Sequence, residues 1–222
     1  MNAALTFPPC RKKQRIESLR TLVSERFPPA RPKPSCTLFR TGISKWDDAT
    51  GGIEQSGTTE VCGPSGNCAI LLDGILESAS TQGLLIALVD GGGSFEAEDY
   101  NAKARSGMLW VRSHNPQNAL QATDFLLRDG NLPLIALDLH GFASRQLCKI
   151  PTSTWHRFTR LLEQNRSALV VFNPQPLVEG CRTRITTQSR WSLKELQMRR
   201  RDLMEALPLQ IFTRNTHPLR VL

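Results

Sequence analysis

Hydrophobic and polar positions after residue 57 alternate between two kinds of segment. Short runs that are apolar on both faces predict buried strands, and apolar residues three or four positions apart predict helices that cover a sheet. The predicted strands are Thr58–Cys62, Leu84–Asp90, Met108–Arg112, Leu132–Asp138 and Ala168–Asn173. The predicted helices between them are Asn67–Ser80, Asn115–Arg128 and Thr152–Asn165.

This alternation predicts an α/β fold with a mostly parallel sheet flanked by helices on both sides. In such folds, functional side chains collect at the carboxyl ends of the strands. The segments at those ends are Gly63–Asn67, Asp90–Ser94, Asp138–His140 and Asn173–Gln175. We therefore look for a functional site in these four segments first.

The first 36 residues differ from the rest and predict a short helical arm. Apolar residues between Arg11 and Phe27 form one helical stripe that includes Ile16, Leu19 and Val23. Prolines 28, 29, 32 and 34 then stop the helix and indicate a stiff linker. We divide the chain into residues 1–36, a basic amphipathic helix with a Pro-rich linker, and residues 37–222, an α/β core with a basic C-terminal segment.

The C-terminal segment predicts one more helix and two strand pieces. Ser192–Met204 has Leu193, Leu196 and Leu203 at helical spacing. Leu207–Phe212 and Leu219–Leu222 resemble strands that complete the sheet or offer an edge to a partner.

Positive charge is concentrated at both ends of the 222-residue chain, whose net charge is +8. Residues 1–40 hold nine basic and two acidic side chains, residues 181–222 hold nine and three, and the middle holds ten and fifteen. Basic ends indicate contact with a polyanion or an acidic protein surface, with plain solvated arms as the alternative. The candidate contact residues are Arg182, Arg184, Arg190, Trp191, Arg199, Arg200 and Arg201.

Several functional classes are disfavoured by composition. The longest apolar run, Leu84–Val89, is far shorter than the roughly 20 residues of a membrane helix. The basic run at residues 11–15 follows the first apolar residues, which is the wrong order for a secretory signal. Six cysteines without a C-x-x-C pair and four scattered histidines predict a reducing compartment and no metal site. We expect a cytoplasmic protein without a membrane partner.

The segment after the predicted strand Thr58–Cys62 resembles a phosphate-binding loop that lacks the residues needed for phosphoryl transfer. A working loop reads G-x-x-x-x-G-K-[ST], but here only two residues separate the glycines, and Asn and Cys replace Lys and the hydroxyl residue. Asp138 stands where a Walker B acid would hold Mg²⁺. The degenerate loop comprises Gly63, Pro64, Ser65, Gly66, Asn67 and Cys68. A plain strand-to-helix turn and weak residual binding of ATP and Mg²⁺ both remain open.

With these residues, the chain resembles the RecA-type recombinase core from about Phe39 to Gln175. Arg40–Ile53 resembles the family's TG-x-x-x-LD-x-x-L-GGG motif, and Gly57–Pro64 resembles its G-x-x-x-E-I-x-GP approach to the phosphate loop. Leu88–Asp90 and Leu137–Asp138 match later strand positions. The resemblance implies a RecA-like P-loop NTPase core.

The departures from the family pattern imply a pseudo-ATPase. The family's Lys and Thr fall on Asn67 and Cys68, and its catalytic Glu falls on Gly92. Gln175 matches a strand-end residue that senses the γ-phosphate. We therefore expect no catalytic residue and no required cofactor.

Within the superfamily, the likeness is to the bacterial ImuA or SulA-like branch. It implies a nucleoid-associated accessory protein of the SOS response, acting in DNA repair by translesion synthesis. The implied partners are a RecA-like protein or an error-prone polymerase subunit, with DNA and a second copy of the chain as further candidates. The stripe of Ile16, Leu19 and Val23 would tether the chain to an adjacent core or fold back on its own.

The alternative function is an ATP-binding, DNA-dependent ATPase of the RecA or KaiC type with an unorthodox loop. Such an enzyme needs a cation at the phosphates. The nearest candidates along the chain are Lys45, Lys103 and Lys149.

Overall fold

The structure is a computed structural model that describes residues 37–99, 105–188, 191–193 and 195–214. The predicted arm, with Ile16, Leu19 and Val23, lies outside these residues. So do Lys103, Arg190 and the strand predicted for Leu219–Leu222. The division of the chain at residue 36 stays a prediction.

The described residues alternate between strands and helices. The strands are β1 (Leu38–Phe39), β2 (Ile53–Glu54), β3 (Thr58–Cys62), β4 (Ile86–Gly91), β5 (Met108–Ser113), β6 (Leu134–Asp138), β7 (Ala168–Asn173), β8 (Thr183–Thr186) and β9 (Gln210–Thr213). The α-helices are α1 (Ser44–Thr50), α2 (Ser65–Thr81), α3 (Pro116–Asp129), α4 (Ser144–Leu147), α5 (Thr152–Asn165) and α6 (Arg200–Ala206). Short 3₁₀ turns occur at Ala97–Asp99 and Glu195–Gln197.

Seven strands form one sheet in the order β5-β4-β6-β7-β3-β8-β9. Neighbouring strands are parallel except β9, which runs antiparallel to β8. Leu71 and Ile75 of α2 belong to one hydrophobic core, and Leu127 of α3 and Phe158 of α5 belong to another. Strands β4 and β7 are buried along their whole length, which explains their continuous apolar runs. The predicted α/β architecture is confirmed.

The glycine-containing segment before β3 is held by one carboxylate. Asp47 Oδ1 accepts hydrogen bonds from the Thr41 backbone N–H at 2.9 Å and from the Thr41 hydroxyl at 2.8 Å. Its Oδ2 accepts from the Gly42 N–H at 3.1 Å. A Cβ atom on Gly52 would lie 2.3 Å from the Phe39 carbonyl oxygen, so only glycine fits there. The Arg40–Ile53 motif therefore has a structural role in this chain.

The single helix predicted for Ser192–Met204 is confirmed only from Arg200 onward. A 3₁₀ turn and α6 replace it, and Arg199 between them has extended backbone angles of −64° and 145°. Leu193 is 82% exposed and Leu203 is 8% exposed, so these leucines do not share a buried face. The strand predicted for Leu207–Phe212 begins only at Gln210, after Pro208, which has no N–H to donate to a ladder.

The described helices include none that is both long and apolar enough to cross a bilayer.

Candidate functional site

The degenerate loop winds directly into helix α2. Only Gly63 and Pro64 separate β3 from α2. The backbone N–H groups of Asn67 and Cys68 both donate to the Pro64 carbonyl, at 3.0 and 3.1 Å. In a working phosphate loop, backbone N–H groups point at the phosphates. Here the Asn67 N–H of the first turn is already bonded within the turn, and the Cys68 N–H makes the first regular bond of the helix.

The chain that follows β8 covers this loop. The Thr187 N–H donates to the Cys62 carbonyl at 2.9 Å. A Cβ atom on Gly63 would lie 2.4 Å from the Thr187 carbonyl oxygen. Asn67, at the position of the family's Lys, donates from Nδ2 to the Thr187 hydroxyl at 3.2 Å. Asn67 and Thr187 are 1% and 2% exposed, so this contact is sealed from solvent.

His140 joins the end of β6 to the same loop. Asp138 Oδ1 accepts the His140 backbone N–H at 3.0 Å and lies 2.9 Å from the ring Nδ1. The other ring nitrogen, Nε2, lies 3.0 Å from the Gly63 carbonyl oxygen. The Walker B-like carboxylate therefore contacts an imidazole of its own chain. The sequence places His140 at a strand end but gives no signal for this bridge.

The loops after β4 and β6 touch through glycines. The Gly141 N–H donates to the Gly91 carbonyl at 3.1 Å, and a Cβ atom on Gly92 would lie 2.5 Å from Gly141 Cα. A side chain at position 92, where the family has its catalytic Glu, has no room unless one loop moves.

Asp90 holds the loop that follows β4 through hydrogen bonds to its backbone. Its Oδ1 accepts the N–H groups of Gly93 and Ser94 at 3.1 and 3.2 Å. Its Oδ2 accepts the Trp110 indole N–H at 3.2 Å. The carboxylate therefore orders the loop.

A cavity of about 150 Å³ remains beside the loop, and Ser65, Cys68, Glu96, Asp138 and Arg200 contribute to its walls. Asp73 also lines it and pairs with Arg200 at 2.8 Å. Arg200 neutralises Asp73, and the carboxylates of Glu96 and Asp138 are left to disfavour a phosphate in this cavity. Burial raises the pKa of the Cys68 thiol, which keeps it protonated and makes it a poor substitute for the metal-binding hydroxyl. The described residues contain no cluster of His, Cys, Asp and Glu suited to a metal ion.

Comparisons with known proteins place the fold. No family model and no curated protein matches this chain. Among solved structures, it is similar to the crystal structure of the RadB recombinase, with a TM-score of 0.56 and 16% identity. The match covers 70% of this chain and 85% of that chain. The fold is RecA-like. At this identity the likeness concerns the fold alone.

In this RecA-like fold, the lysines considered for the alternative function lie as follows. Lys45 donates from Nζ to the Leu207 carbonyl at 3.1 Å. Lys149 is exposed after α4, and Lys103 lies outside the described residues. Within the described residues, no lysine lines the cavity beside Asp138.

Gln175, for which the resemblance predicts a sensor role, is exposed. Its Nε2 lies 3.8 Å from Cys148 Sγ, so it joins the loops that follow β7 and β6. Asn173, two residues earlier, is fully buried and donates to Glu60 Oε1 at 2.9 Å.

The basic candidates divide into paired and exposed residues. Arg182 pairs with Glu54, and Arg184 donates from Nε to Glu60 at 2.5 Å. Trp191 packs against the core on the α2 side of the sheet. Arg199 and Arg201 are exposed, and Arg200 is bound to Asp73 as described above. Contact of this group with DNA or a partner stays a prediction.

Proposed function

We propose that this RecA-like protein is an accessory factor of DNA damage tolerance that does not hydrolyse ATP. In this proposal it acts as an ImuA-like protein in the bacterial SOS response, at the nucleoid in the cytoplasm. It supports translesion synthesis by contacting a RecA-like recombinase or an error-prone polymerase subunit, and it also contacts DNA. The observation that carries the proposal is the closed phosphate loop.

Three groups that would serve a nucleotide are engaged with the chain itself. The Asn67 N–H bonds to the Pro64 carbonyl, the Asn67 side chain bonds to Thr187, and Asp138 bonds to His140. A nucleotide would have to displace such contacts, each contributing roughly 1 kcal/mol, without a lysine to compensate. Binding to other proteins then explains a RecA-like fold in this chain better than binding of a nucleotide does.

A nucleotide titration tests the absence of ATP chemistry. A fluorescent ATP analogue with Mg²⁺ is titrated into the full chain and into Asp138→Ala, with an ATPase assay alongside. We expect no saturable binding and no turnover in either protein. Saturable binding that is lost in Asp138→Ala, together with turnover, would overturn the proposal.

Saturable ATP binding with turnover would instead support an ATPase of the RecA or KaiC type. One observation favours it, because Asp138 still lines a cavity. The cavity of about 150 Å³ is nevertheless smaller than the roughly 300–1,000 Å³ of typical ligand sites.

A partner assay tests the accessory role. The labelled full chain is titrated with RecA-like filaments on single-stranded DNA and, separately, with an error-prone polymerase subunit. We expect saturable binding to at least one, weakened by a double Ile16→Ala and Leu19→Ala change. Leu85→Ala, at a leucine that is 55% exposed, is the matched control. Binding to neither partner would contradict the accessory role, and binding insensitive to the double change would contradict the tether alone.

A further inference from the structure

Strands β8 and β9 present three arginines and an aromatic ring on one face. Arg184 is the ladder partner of Phe212. The Arg214 N–H donates to the Arg182 carbonyl at 2.7 Å, which continues the ladder by one position. Residues two apart share a face of a strand. The side chains of Arg182, Arg184, Phe212 and Arg214 therefore project from the same face, which we call the β8–β9 face.

This face borders an open groove at the end of β8 opposite to the phosphate loop. The groove has a volume of about 500 Å³, and the segment 179–181 forms its other wall. That volume falls within the roughly 300–1,000 Å³ typical of ligand sites. It is more than three times the size of the cavity beside Asp138, given above.

Two of the arginines are fixed in place by internal partners. Arg184 bonds to Glu60 through Nε and to the Val178 carbonyl through Nη2, at 2.5 and 2.9 Å. Arg182 pairs with Glu54. Their positions are therefore set before any ligand arrives, which lowers the entropy cost of binding.

Arg214 carries the unneutralised charge. Among the described residues, no carboxylate forms an ion pair with it, and it is exposed. It lies opposite Arg182 in the ladder, and Arg182 is already paired with Glu54. Glu179 is the single carboxylate residue on the groove lining, and the other two arginines there already pair with Glu54 and Glu60. An anion in the groove would pair with Arg214.

Phe212 adds an apolar surface beside these donors. Its side chain is 59% exposed although it lies in a strand. Isolated exposed apolar side chains are common, but this ring stands directly beside guanidinium groups. Aromatic rings that stack on bases, with arginines that contact phosphates, are the combination used by single-strand binders.

We infer that the β8–β9 face binds single-stranded DNA, with a base stacked on Phe212 and a phosphate held by Arg214. This inference rests on the DNA contact included in the proposed function and names its place and chemistry. Arg182 and Arg184, held by their internal partners, form the wall of the groove beside them.

Anisotropy of a labelled oligothymidine titrated with the full chain at several salt concentrations tests this site. Phe212→Ala and Arg214→Ala are each expected to weaken binding about tenfold. Arg214→Ala also lowers the slope of log K against log salt by about 0.7, whereas Phe212→Ala leaves it unchanged. Phe125→Ala, at a ring that is 73% exposed on α3, and Arg160→Ala, on the exposed side of α5, are the matched controls. Thermal melts of all variants establish that each is folded.

Several outcomes would overturn the inference. DNA binding that neither variant changes places the contact elsewhere and leaves the DNA part of the proposed function intact. No DNA binding at all removes that part as well, while the partner and nucleotide assays still decide the rest. Stronger binding of a polyglutamate peptide than of oligothymidine, lost in Arg214→Ala, would assign the groove to an acidic protein segment instead.

Discussion

The two ends of the paired strands β3 and β8 have opposite characters. At the carboxyl end, Asn67 bonds to Thr187, and His140 bonds to Asp138 and to the Gly63 carbonyl. These contacts close the site where a nucleotide would be expected. At the amino end, Arg214 and Phe212 face an open groove. Both ends belong to the same RecA-like sheet. The fold by itself therefore does not show which end carries function. The evidence for that choice is whether the polar groups at each end already have partners within the chain.

Glu60 lies between these ends and connects them. It is fully buried, and its Oε1 accepts the backbone N–H groups of Leu177 and Val178 at 2.6 and 2.7 Å. It also binds Asn173 and Arg184, as described above. One carboxylate in mid-strand thus positions both the chain after β7 and the arginine of the groove.

The largest expected effect comes from removing this charge. Glu60→Gln leaves Arg184 without its carboxylate and should lower the free energy of unfolding by roughly 3 kcal/mol, since breaking a buried pair costs about 3–5 kcal/mol. Urea unfolding measures it. Glu54→Gln, which breaks the more accessible pair with Arg182, is the control and should cost about 1 kcal/mol or less. Equal losses would mean that Glu60 does not organise the two ends.

The second prediction concerns the contact between Gly141 and Gly91 at the closed carboxyl end of the sheet. A Cβ atom on Gly141 would lie 2.3 Å from the Gly91 carbonyl oxygen, so Gly141→Ala should lower stability by about 1–3 kcal/mol. Gly66 meets nothing within 4 Å, and Gly66→Ala should raise stability by about 0.5–1 kcal/mol. Thermal denaturation compares the two. A tolerated alanine at 141 would show that the loops after β4 and β6 separate easily.

Removing the bridge at His140 gives a smaller effect. His140→Ala deletes the contacts to Asp138 and Gly63 and should cost about 1–2 kcal/mol. His156→Ala, at an exposed position on α5, should change stability by no more than about 0.5 kcal/mol. Urea unfolding and the nucleotide titration are run together. Tight ATP binding gained by His140→Ala would mean that the bridge alone blocks the site.

The smallest effect concerns pH. Burial, followed by the charge of Glu60, raises the pKa of the Cys62 thiol from 9.0 to about 12. The unfolded chain then loses this proton first, so the contribution is full below pH 9 and is lost as pH rises toward 12. Urea midpoints at pH 8 and pH 10 should differ more in the native chain than in Cys62→Ala. Identical differences would remove Cys62 from the alkaline transition.

Much of the fold could be predicted because its signal is local. Strands such as β4 and β7 are apolar on both faces, and the sequence shows this directly. Strand β8 (TRIT) has no such run, so the apolar pattern does not predict it. Its Ile185 is buried, and its Arg184 pairs with Glu60, which lies 124 residues earlier in the chain.

The sequence predicts which motif residues the candidate site lacks. It does not predict the contacts that close the site instead. Asn67, Cys68 and Gly92 can be compared with a motif position by position. The contacts of Asn67 with Thr187 and of His140 with Gly63 span 120 and 77 residues. No periodicity or spacing encodes such pairs, since the topology of the sheet brings them together.

The glycine contact between positions 92 and 141 also bears on protein engineering. A glutamate introduced at 92 needs the neighbouring loop to retreat, and a lysine introduced at 67 needs Thr187 to leave. Each substitution alone meets its own obstacle, Gly141 for the first and Thr187 for the second, so a failed single mutant does not show that a redesign of both loops would fail. A designer who wanted an ATPase on this backbone would have to rebuild both loops at once.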